Sequence, residues 1–267
     1  MDRRFETNRT WWNEVTPIHA RSDFYDLAGF RAGKLSLLPI EQEELGDVAG
    51  RSLLHLQCHF GLDTLSWARL GAQVTGVDFS DQAIALARSL AGELAIPARF
   101  LCANVYDLPD VLHESFDIVF TSYGVLCWLP DLARWAGLVA HFLKPGGTFY
   151  IAELHPFAGV FDDEEGVTDL RVAYPYFHTP EPLTFDSQGT YADRTAQVTH
   201  TTTHEWAHSL GDVVNALIAA GLHIQFLHEF PYCDYPILPF MERGSDGWWR
   251  LPGDNVLPLL FSIKATK

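Results

Sequence analysis

The feature that most constrains this chain is a regular alternation of apolar runs and helical stretches between residues 51 and 155. Apolar runs of five or six residues alternate with helical stretches in the order SLLHLQ, DTLSWARLG, QVTGVD, SDQAIALARSLAG, ARFLCA, FDIVFT, DLARWAGLVAHFL and GTFYIAEL. Continuous apolar strands are typical of a parallel sheet that is buried on both faces, and right-handed crossovers then place helices on both sides. We predict an α/β fold with a doubly wound sheet.

Capping residues mark where these helices begin and end. Ser80 is placed to cap a helix, and Gly71 stops the preceding helix before a strand over residues 73–78. A later helix is expected to begin after Ser209, and the last strand is expected over residues 257–264.

The alternation breaks after residue 155, which divides the chain into four predicted segments. Residues 1–50 are expected to form an N-terminal helical segment or lid, and residues 51–155 the core that binds a cofactor. Residues 156–207 are rich in Pro, Asp, Thr and aromatic residues and favour antiparallel strands, so we predict an inserted cap on the substrate side. Residues 208–267 are expected to complete the core sheet.

Composition and charge exclude several classes of protein. With 267 residues, 48% of them hydrophobic, the chain is long enough for one large globular domain. The net charge of −16 repels phosphate backbones and anionic lipids, so we expect neither nucleic acid nor membrane as a partner. The first residues show no secretory signal and the four cysteines are widely spaced, which predicts reduced thiols and a cytoplasmic location. The number of subunits is left open.

The turn after the first strand indicates which kind of cofactor the sheet holds. In open α/β sheets, ligands bind beyond the carboxyl ends of the strands. Here that turn reads Gln57-Cys58-His59-Phe60-Gly61, with a single glycine, so side chains stand where a pyrophosphate needs bare backbone. Asp78 ends the second strand and is suited to accept hydrogen bonds from two ribose hydroxyls. These residues favour an adenosine without phosphates, and no metal is expected.

At this point the sequence resembles the class I S-adenosylmethionine-dependent methyltransferases. The motifs that carry the resemblance, in the family's order, are LLHLQCHFGLDTLSWA, GVDFS, CANVYDLP, FDIVFTSYGVLCWLPD and LKPGGTFYIAE. The first of them is similar to a subgroup with LQCHFG-like first motifs. The resemblance spans residues 51–155, and weakly 205–265. It implies a seven-stranded, mainly parallel sheet whose last strand is antiparallel, with S-adenosylmethionine as cofactor and S-adenosylhomocysteine as product.

The resemblance also assigns roles by position. Asp78 is expected to hold the ribose, Phe79 to stack on adenine, and Asn104 and Val105 to contact its edge. The methionine side is expected to contact the first motif and Ser122. The full set of expected cofactor contacts is Gln57, Cys58, His59, Gly61, Asp78, Phe79, Asn104, Val105 and Ser122.

This sequence departs from the family at the first motif. His55 stands where the family has an acidic residue, and Gln57 and His59 replace its first two glycines. Asn104 replaces the Asp that usually contacts adenine, and its amide can still accept from the adenine amino group.

The predicted reaction is transfer of a methyl group to oxygen or nitrogen of a small-molecule acceptor. His155 is the first candidate for a general base, with Glu153 two residues earlier on the same strand face and Tyr123 near the methionine side. Further aromatic residues are candidates for an acceptor pocket or for the core of the cap: Trp11, Trp12, Tyr25, Trp128, Tyr174, Tyr176, His178 and Tyr191.

Two other functions remain open on the sequence. A member of the same fold can bind the cofactor without transferring its methyl group, because a fold does not determine the chemistry. The second alternative is a zinc peptidase, since His204-Glu205-Trp206-Ala207-His208 satisfies H-E-x-x-H and Glu229 is a conceivable third ligand. That pattern requires a helix, whereas the preceding Thr-rich run favours a strand.

Overall fold

The fold was established from a computed structural model that describes residues 3–253 and 256–267. The sequence predictions for residues 1, 2, 254 and 255, within the N-terminal and C-terminal segments, lie outside the described residues. The helices are α1 (Arg3–His19), α2 (Leu27–Arg31), α3 (Pro39–Leu45), α4 (Leu62–Arg69), α5 (Asp81–Glu93), α6 (Leu132–Phe142) and α7 (Leu210–Ala219). The strands are β1 (Ser52–Leu56), β2 (Gln73–Asp78), β3 (Arg99–Cys102), β4 (Phe116–Ser122), β5 (Leu143–Leu154), β6 (Leu183–Asp186), β7 (Thr202–Glu205), β8 (His223–Phe230), β9 (Glu242–Arg243), β10 (Trp249–Arg250) and β11 (Leu260–Thr266).

Within the described residues, seven strands form one sheet in the order β3-β2-β1-β4-β5-β11-β8. Neighbouring strands from β3 to β5 are parallel, whereas β11 runs antiparallel to both β5 and β8. The predicted doubly wound sheet with an antiparallel last strand is confirmed. The order reverses at β1 and β4, which is where an open α/β sheet forms its ligand crevice.

Alternate side chains of the sheet pack on its two faces, as the two-residue repeat of a strand requires. On β1, Leu54 packs in the hydrophobic core that α6 and α7 cover, whereas Leu53 packs on the other face with Trp67 of α4. Most core side chains on these central strands are fully buried. The strands are therefore apolar along their whole length, which explains the continuous runs in the sequence.

The capping predictions are confirmed. Ser80 accepts a hydrogen bond from the Ala83 amide at the start of α5, and Gly71 follows α4 with a φ of 95°. Ser209 caps α7 through a reciprocal capping box with Asp212. These side chains satisfy amides that have no partner within the helix.

The segment between β5 and α7 contains the antiparallel pair β6 and β7, apart from the main sheet. It is tied to α1 through Asn8, whose side-chain amide donates to the His204 carbonyl and accepts from the His204 amide, both at 2.8 Å. Glu14 of α1 accepts from the Thr199 and His200 amides of the same segment. The N-terminal helix and the insertion therefore lie against each other. Among the described residues, no helix combines the length and hydropathy that crossing a bilayer demands.

Candidate active site

A cavity of about 790 Å³ lies over the carboxyl ends of β1, β2, β3 and β4. Its floor is formed by the turns that follow these strands, and its roof by parts of α1, the loop over residues 23–26, Tyr191 of the insertion and residues 234–236 after β8. This volume is near the upper end of the range for small-molecule sites, about 300–1,000 Å³. The cavity is at the strand-order reversal that the topology singles out.

The β1–α4 turn has the backbone shape of a glycine-rich turn with two larger residues in it. Gln57 and His59 adopt φ angles of 56° and 49°, and Gly61 follows with 79°. Non-glycine residues seldom occupy this left-handed region because the Cβ atom is crowded there. The turn therefore keeps the family's path while presenting two side chains to the cavity.

Gln57 links this turn to the end of β4. Its Nε2 donates to the Val125 carbonyl at 2.9 Å, while its Oε1 is buried and has no hydrogen-bond partner among the described residues. A buried acceptor without a donor costs free energy. Because Gln57 lines the cavity, a ligand with a donor group can satisfy this oxygen.

Asp78 is at the tip of β2 and is 9% exposed. Its two carboxylate oxygens accept from the His59 and Ser80 amides, each at 2.8 Å. Burial raises the pKa of Asp78 to about 6, although these amides oppose the shift. A carboxylate has about four lone-pair positions, so two amides leave acceptor capacity for a ligand.

The other residues expected at the nucleoside also line the cavity. Asn104 is at the end of β3, and its Oδ1 accepts from the Tyr106 amide at 3.0 Å. This contact leaves the Asn104 Nδ2, a donor, as the group available to a ligand. Phe79, Val105 and Ser122 line the same part of the cavity. The structure thus brings together all nine residues that the sequence assigned to the cofactor.

Several acidic side chains also line the cavity. Asp63, in the first turn of α4, accepts from the Ser36 hydroxyl at 2.6 Å and from the Ser122 hydroxyl at 3.2 Å. Glu41 of α3 accepts from the Tyr123 hydroxyl at 2.9 Å. Burial, reinforced by the charge of Asp63, raises the pKa of Glu41 to about 8. Protons are therefore held on buried carboxylates near neutral pH.

Asp234 and Glu205 add two more carboxylates to this wall. Burial raises the pKa of Asp234 to about 6, with a further contribution from the charge of Asp63. Burial likewise raises the pKa of Glu205 to about 7. The Oδ1 of Asp234 is removed from solvent and has no hydrogen-bond partner in the part of the chain that the structure describes.

Aromatic rings and two histidines close the roof. His19 Nδ1 lies 3.1 Å from His59 Nε2, and the Tyr25 and Tyr191 hydroxyls are hydrogen-bonded to each other. Trp12 packs on His59 with ring centroids 5.1 Å apart. Burial lowers the pKa of His19 to about 3, so this ring is neutral. The roof therefore joins α1 and the insertion to the β1–α4 turn.

Two of the three predicted catalytic residues, Glu153 and His155, do not line the cavity. Glu153 is 3% exposed, and its carboxylate accepts from the Gly124, Val125, Leu126 and Leu154 amides. It is thus a positioning residue for the turn after β4. Tyr123, the third candidate, does line the cavity.

His155 lies on the side of the sheet end that faces β8. Its Nδ1 accepts from the Phe157 amide at 3.1 Å, and its Nε2 lies 2.9 Å from the Glu229 carboxylate. Burial lowers the pKa of His155, and Glu229 opposes this shift. The residue is 4% exposed and does not line the cavity, so its imidazole is not positioned to act as a base there.

The zinc-peptidase hypothesis is wrong, because H-E-x-x-H does not lie on a helix. His204 and Glu205 end β7, and α7 begins only at Leu210. His204 Nδ1 lies 3.1 Å from the Thr184 hydroxyl, and His208 Nε2 lies 2.6 Å from the Leu129 carbonyl. The two rings have separate partners instead of a shared face.

Only some of the aromatic candidates line the cavity: Trp11 of α1 packs with Val15 and Val198, Tyr174 and Tyr176 are half-buried in the insertion, and His178 is exposed. Those that line the cavity are Trp12, Tyr25, Tyr123, Trp128 and Tyr191. Sequence reasoning missed Glu41, Asp63, Asp234 and Tyr235. Of these four residues, Asp63 could have been found from the sequence, because it lies two residues after Gly61, in the first turn of the helix that follows the first strand.

Comparisons with known proteins agree with this geometry. Residues 54–151 match the family described as "Methyltransferase domain". This part of the chain is similar to methyltransferase domains. The resemblance stated from the five motifs is thereby confirmed at the level of the family.

A curated relative in Alkalilimnicola ehrlichii, named ubiquinone biosynthesis O-methyltransferase, is 32% identical over 148 residues, or 54% of this chain and 55% of the relative. The matches span about half the length of most of these curated relatives.

Solved structures extend the likeness to the whole fold. An S-adenosylmethionine-dependent methyltransferase from Mesorhizobium loti has a TM-score of 0.61 at 22% identity, covering 89% of this chain and 100% of that chain. A glycopeptide N-methyltransferase in complex with S-adenosylmethionine has a TM-score of 0.54 at 17% identity, covering 84% and 89%.

Proposed function

We propose that this protein transfers a methyl group from S-adenosylmethionine to an oxygen or nitrogen atom of a small molecule. The observation that carries the proposal is the position of Asp78 at the carboxyl end of β2, inside a cavity that opens at the strand-order reversal. The names of the curated relatives support O-methylation, and the name of one structural neighbour supports N-methylation.

The residues present fit the cofactor at both of its ends. Asp78 offers carboxylate lone pairs to the ribose hydroxyls, and the Asn104 Nδ2 offers a donor to the adenine ring. At the methionine end, the orphaned Oε1 of Gln57 accepts from the ammonium group. The turn contains side chains where a diphosphate requires bare backbone, which favours a nucleoside without phosphates.

When bound, S-adenosylmethionine supplies an electrophilic methyl group. The protein contributes orientation, since alignment of two reactants supplies up to about 7–11 kcal/mol of rate acceleration. Trp12, Tyr25 and Tyr191 line the cavity and reduce the contact of a bound ligand with water. Burial and the charge of Glu41 raise the pKa of Tyr123 well above its ordinary value, so this hydroxyl keeps its proton, which it donates to Glu41, and its oxygen remains able to accept a hydrogen bond from the methyl acceptor.

The test is calorimetric titration with S-adenosylmethionine and S-adenosylhomocysteine. Asp78→Asn is expected to weaken the binding of both ligands by about 10- to 100-fold, because hydrogen bonds to a charged group contribute about 1.5–3 kcal/mol. Asp186→Asn, which changes an exposed aspartate on β6, is the matched control and should bind normally. Transfer of a labelled methyl group in a metabolite screen then separates an enzyme from a protein that only binds the cofactor. Normal affinity in Asp78→Asn contradicts the proposal.

A further inference from the structure

The charge of the cavity wall is strongly unbalanced. Among the described lining residues, seven side chains are acidic and two, Lys34 and Arg243, are basic. Lys34 is already paired with Asp26 at 2.8 Å, and the Arg243 guanidinium donates to the Gly247 carbonyl. The wall therefore presents excess negative charge to whatever fills the cavity.

Three of these acids form a cluster away from the nucleoside part. The charge of Asp63 contributes to the raised pKa values of Glu41 and Asp234, and the charge of Asp234 contributes to the raised pKa of Tyr123. All three side chains line the same cavity, and these charge effects agree with their lying near one another. Glu41, Asp63 and Asp234 are here called the acidic cluster.

The cofactor does not account for the whole cluster. Asp63 is in the helix that follows the β1–α4 turn, beside Ser122, and so belongs to the methionine side. Asp234 comes from the opposite wall, after β8, and Glu41 comes from α3. The Oδ1 of Asp234 is removed from solvent and has no donor among the described residues. An enclosed carboxylate without a donor is costly, which points to a ligand that brings one.

Tyrosine rings surround the same space. Tyr191 lies 6.2 Å from Tyr235 and 6.5 Å from Tyr25 between ring centroids, and all three line the cavity. The charge of Asp234 contributes to the raised pKa of both Tyr191 and Tyr235, which places it close to these rings. Aromatic faces attract cations, most strongly where water is excluded. Carboxylates and aromatic faces together are the chemistry that recognises ammonium groups.

We propose that the methyl acceptor is an amine that binds as a cation, with its ammonium group against Asp234 and Glu41 and between the tyrosine rings. Where this nitrogen itself takes the methyl group, it first gives one proton to a carboxylate of the cluster, because an ammonium has no lone pair. This inference rests on the proposed methyl transfer, because it names the substrate class of the same cavity. An anionic acceptor is repelled by the cluster, and a neutral hydroxyl can donate to the Asp234 oxygen but leaves its negative charge unbalanced.

The experiment is calorimetric titration of three matched probes into protein saturated with S-adenosylhomocysteine. 2-Phenylethylamine, 2-phenylethanol and phenylacetate share one skeleton and differ in the charge of the head group. The amine is expected to bind at least about 10-fold more tightly than the alcohol, because its ammonium group forms a hydrogen-bonded charge pair with the protein. The carboxylate is expected to bind more weakly than either.

Two variants test whether the acidic cluster causes this preference. Asp234→Asn at pH 7, and Glu41→Gln at pH 9 where Glu41 has lost its proton, are each expected to weaken binding of the amine by about 10-fold and to leave binding of the alcohol and S-adenosylhomocysteine unchanged. Asp186→Asn removes the same single charge from an exposed site and should leave the preference intact. If one of the two variants does not fold, the other still tests the inference.

The inference is overturned if the alcohol binds as tightly as the amine, if the amine does not bind, or if its preference survives in both variants. Failure of the proposed methyl transfer has a different signature, in which S-adenosylhomocysteine does not bind. In that case the amine and the alcohol are compared on the protein alone, where a preference that depends on Asp234 still supports a cation site.

Discussion

The two sides of the cavity are built in different ways. The nucleoside side comes from residues 57–61, 78–79 and 104–105, which directly follow consecutive strands of the sheet. The acceptor side is assembled from separate parts of the chain, including Tyr191 in the insertion and residues 234–235 after β8. Strand topology alone positions the first side, whereas the second depends on how distant segments pack.

The contacts that hold the two sides differ accordingly. Asp78 is fixed by backbone amides on both of its oxygens. The acceptor side is held by side-chain pairs such as Tyr123 with Glu41 and Tyr25 with Tyr191. Contacts between side chains on loops and insertions open at lower free energy than the hydrogen bonds of a central sheet. We therefore expect changes on the acceptor side to alter binding of the acceptor while leaving the sheet intact.

The largest effect is expected where the two sides meet, at the turn that Glu153 holds. Glu153→Ala leaves four amides without their acceptor, and the expected loss in the free energy of unfolding is at least about 4 kcal/mol. Urea unfolding measures it. Because Gln57 also bonds to Val125 in this turn, binding of both ligands should weaken together.

Two controls accompany this variant. Glu153→Gln keeps one acceptor oxygen and should lose roughly half as much stability. Glu229→Ala removes a carboxylate that is 48% exposed and should cost less than about 1 kcal/mol. Unchanged stability in Glu153→Ala would contradict the positioning role.

The second effect is a pH dependence of stability that is specific to the acceptor side. The pKa of Glu41 is about 8 in the folded protein against 4.5 ordinarily. Between these pH values the folded protein holds more protons at Glu41 than the unfolded chain does, so raising the pH lowers the free energy of unfolding. The loss is expected to be on the order of a few kcal/mol, complete above pH 8.

Glu41→Gln removes this titration, so the difference between the original chain and the variant isolates it. Between pH 5 and pH 9, the melting temperature of the original chain should fall more than that of Glu41→Gln. The difference between the two falls should be several degrees for a domain of this size. Parallel curves for the two proteins would show that Glu41 titrates normally. The nucleoside side offers the comparison variant, Asp78→Asn, whose smaller pKa shift to about 6 places its effect at lower pH.

The smallest effect concerns Asn104 on the nucleoside side. Asn104→Asp keeps the bond to the Tyr106 amide and replaces the Nδ2 donor by a carboxylate oxygen. Affinity for S-adenosylhomocysteine is expected to fall by about 3- to 10-fold, as the loss of one neutral hydrogen bond predicts. Tighter binding would instead mean that this position accepts from the adenine amino group.

The sequence predicts the nucleoside side well because its determinants are local. The apolar run predicts the strand over residues 73–78. The position of Asp78 is then predicted as well, because it is the last residue of that strand. Ser80 and Ser209 cap helices through contacts within three residues. Periodicity and capping are short-range properties, and parallel pairing then aligns the strand ends without further information.

The acceptor side could not be predicted because its contacts join residues far apart in the chain. Glu41 meets Tyr123 across 82 positions, and Tyr25 meets Tyr191 across 166. His155 was singled out because it directly follows the fifth strand, yet the direction of its side chain depends on the position of β8. Glu205 was singled out for zinc, and the structure places it in the cavity for an unrelated reason, the pairing of β7 with β6.

Asn8 extends β7 with its side chain, giving and receiving one hydrogen bond as a neighbouring strand does. The first helix therefore cannot swing outward by itself without breaking these two bonds and the two that Glu14 accepts from backbone amides of the insertion. Asn8 and Glu14 thus couple access to the cavity with ordering of the insertion, and we expect the two segments to move together.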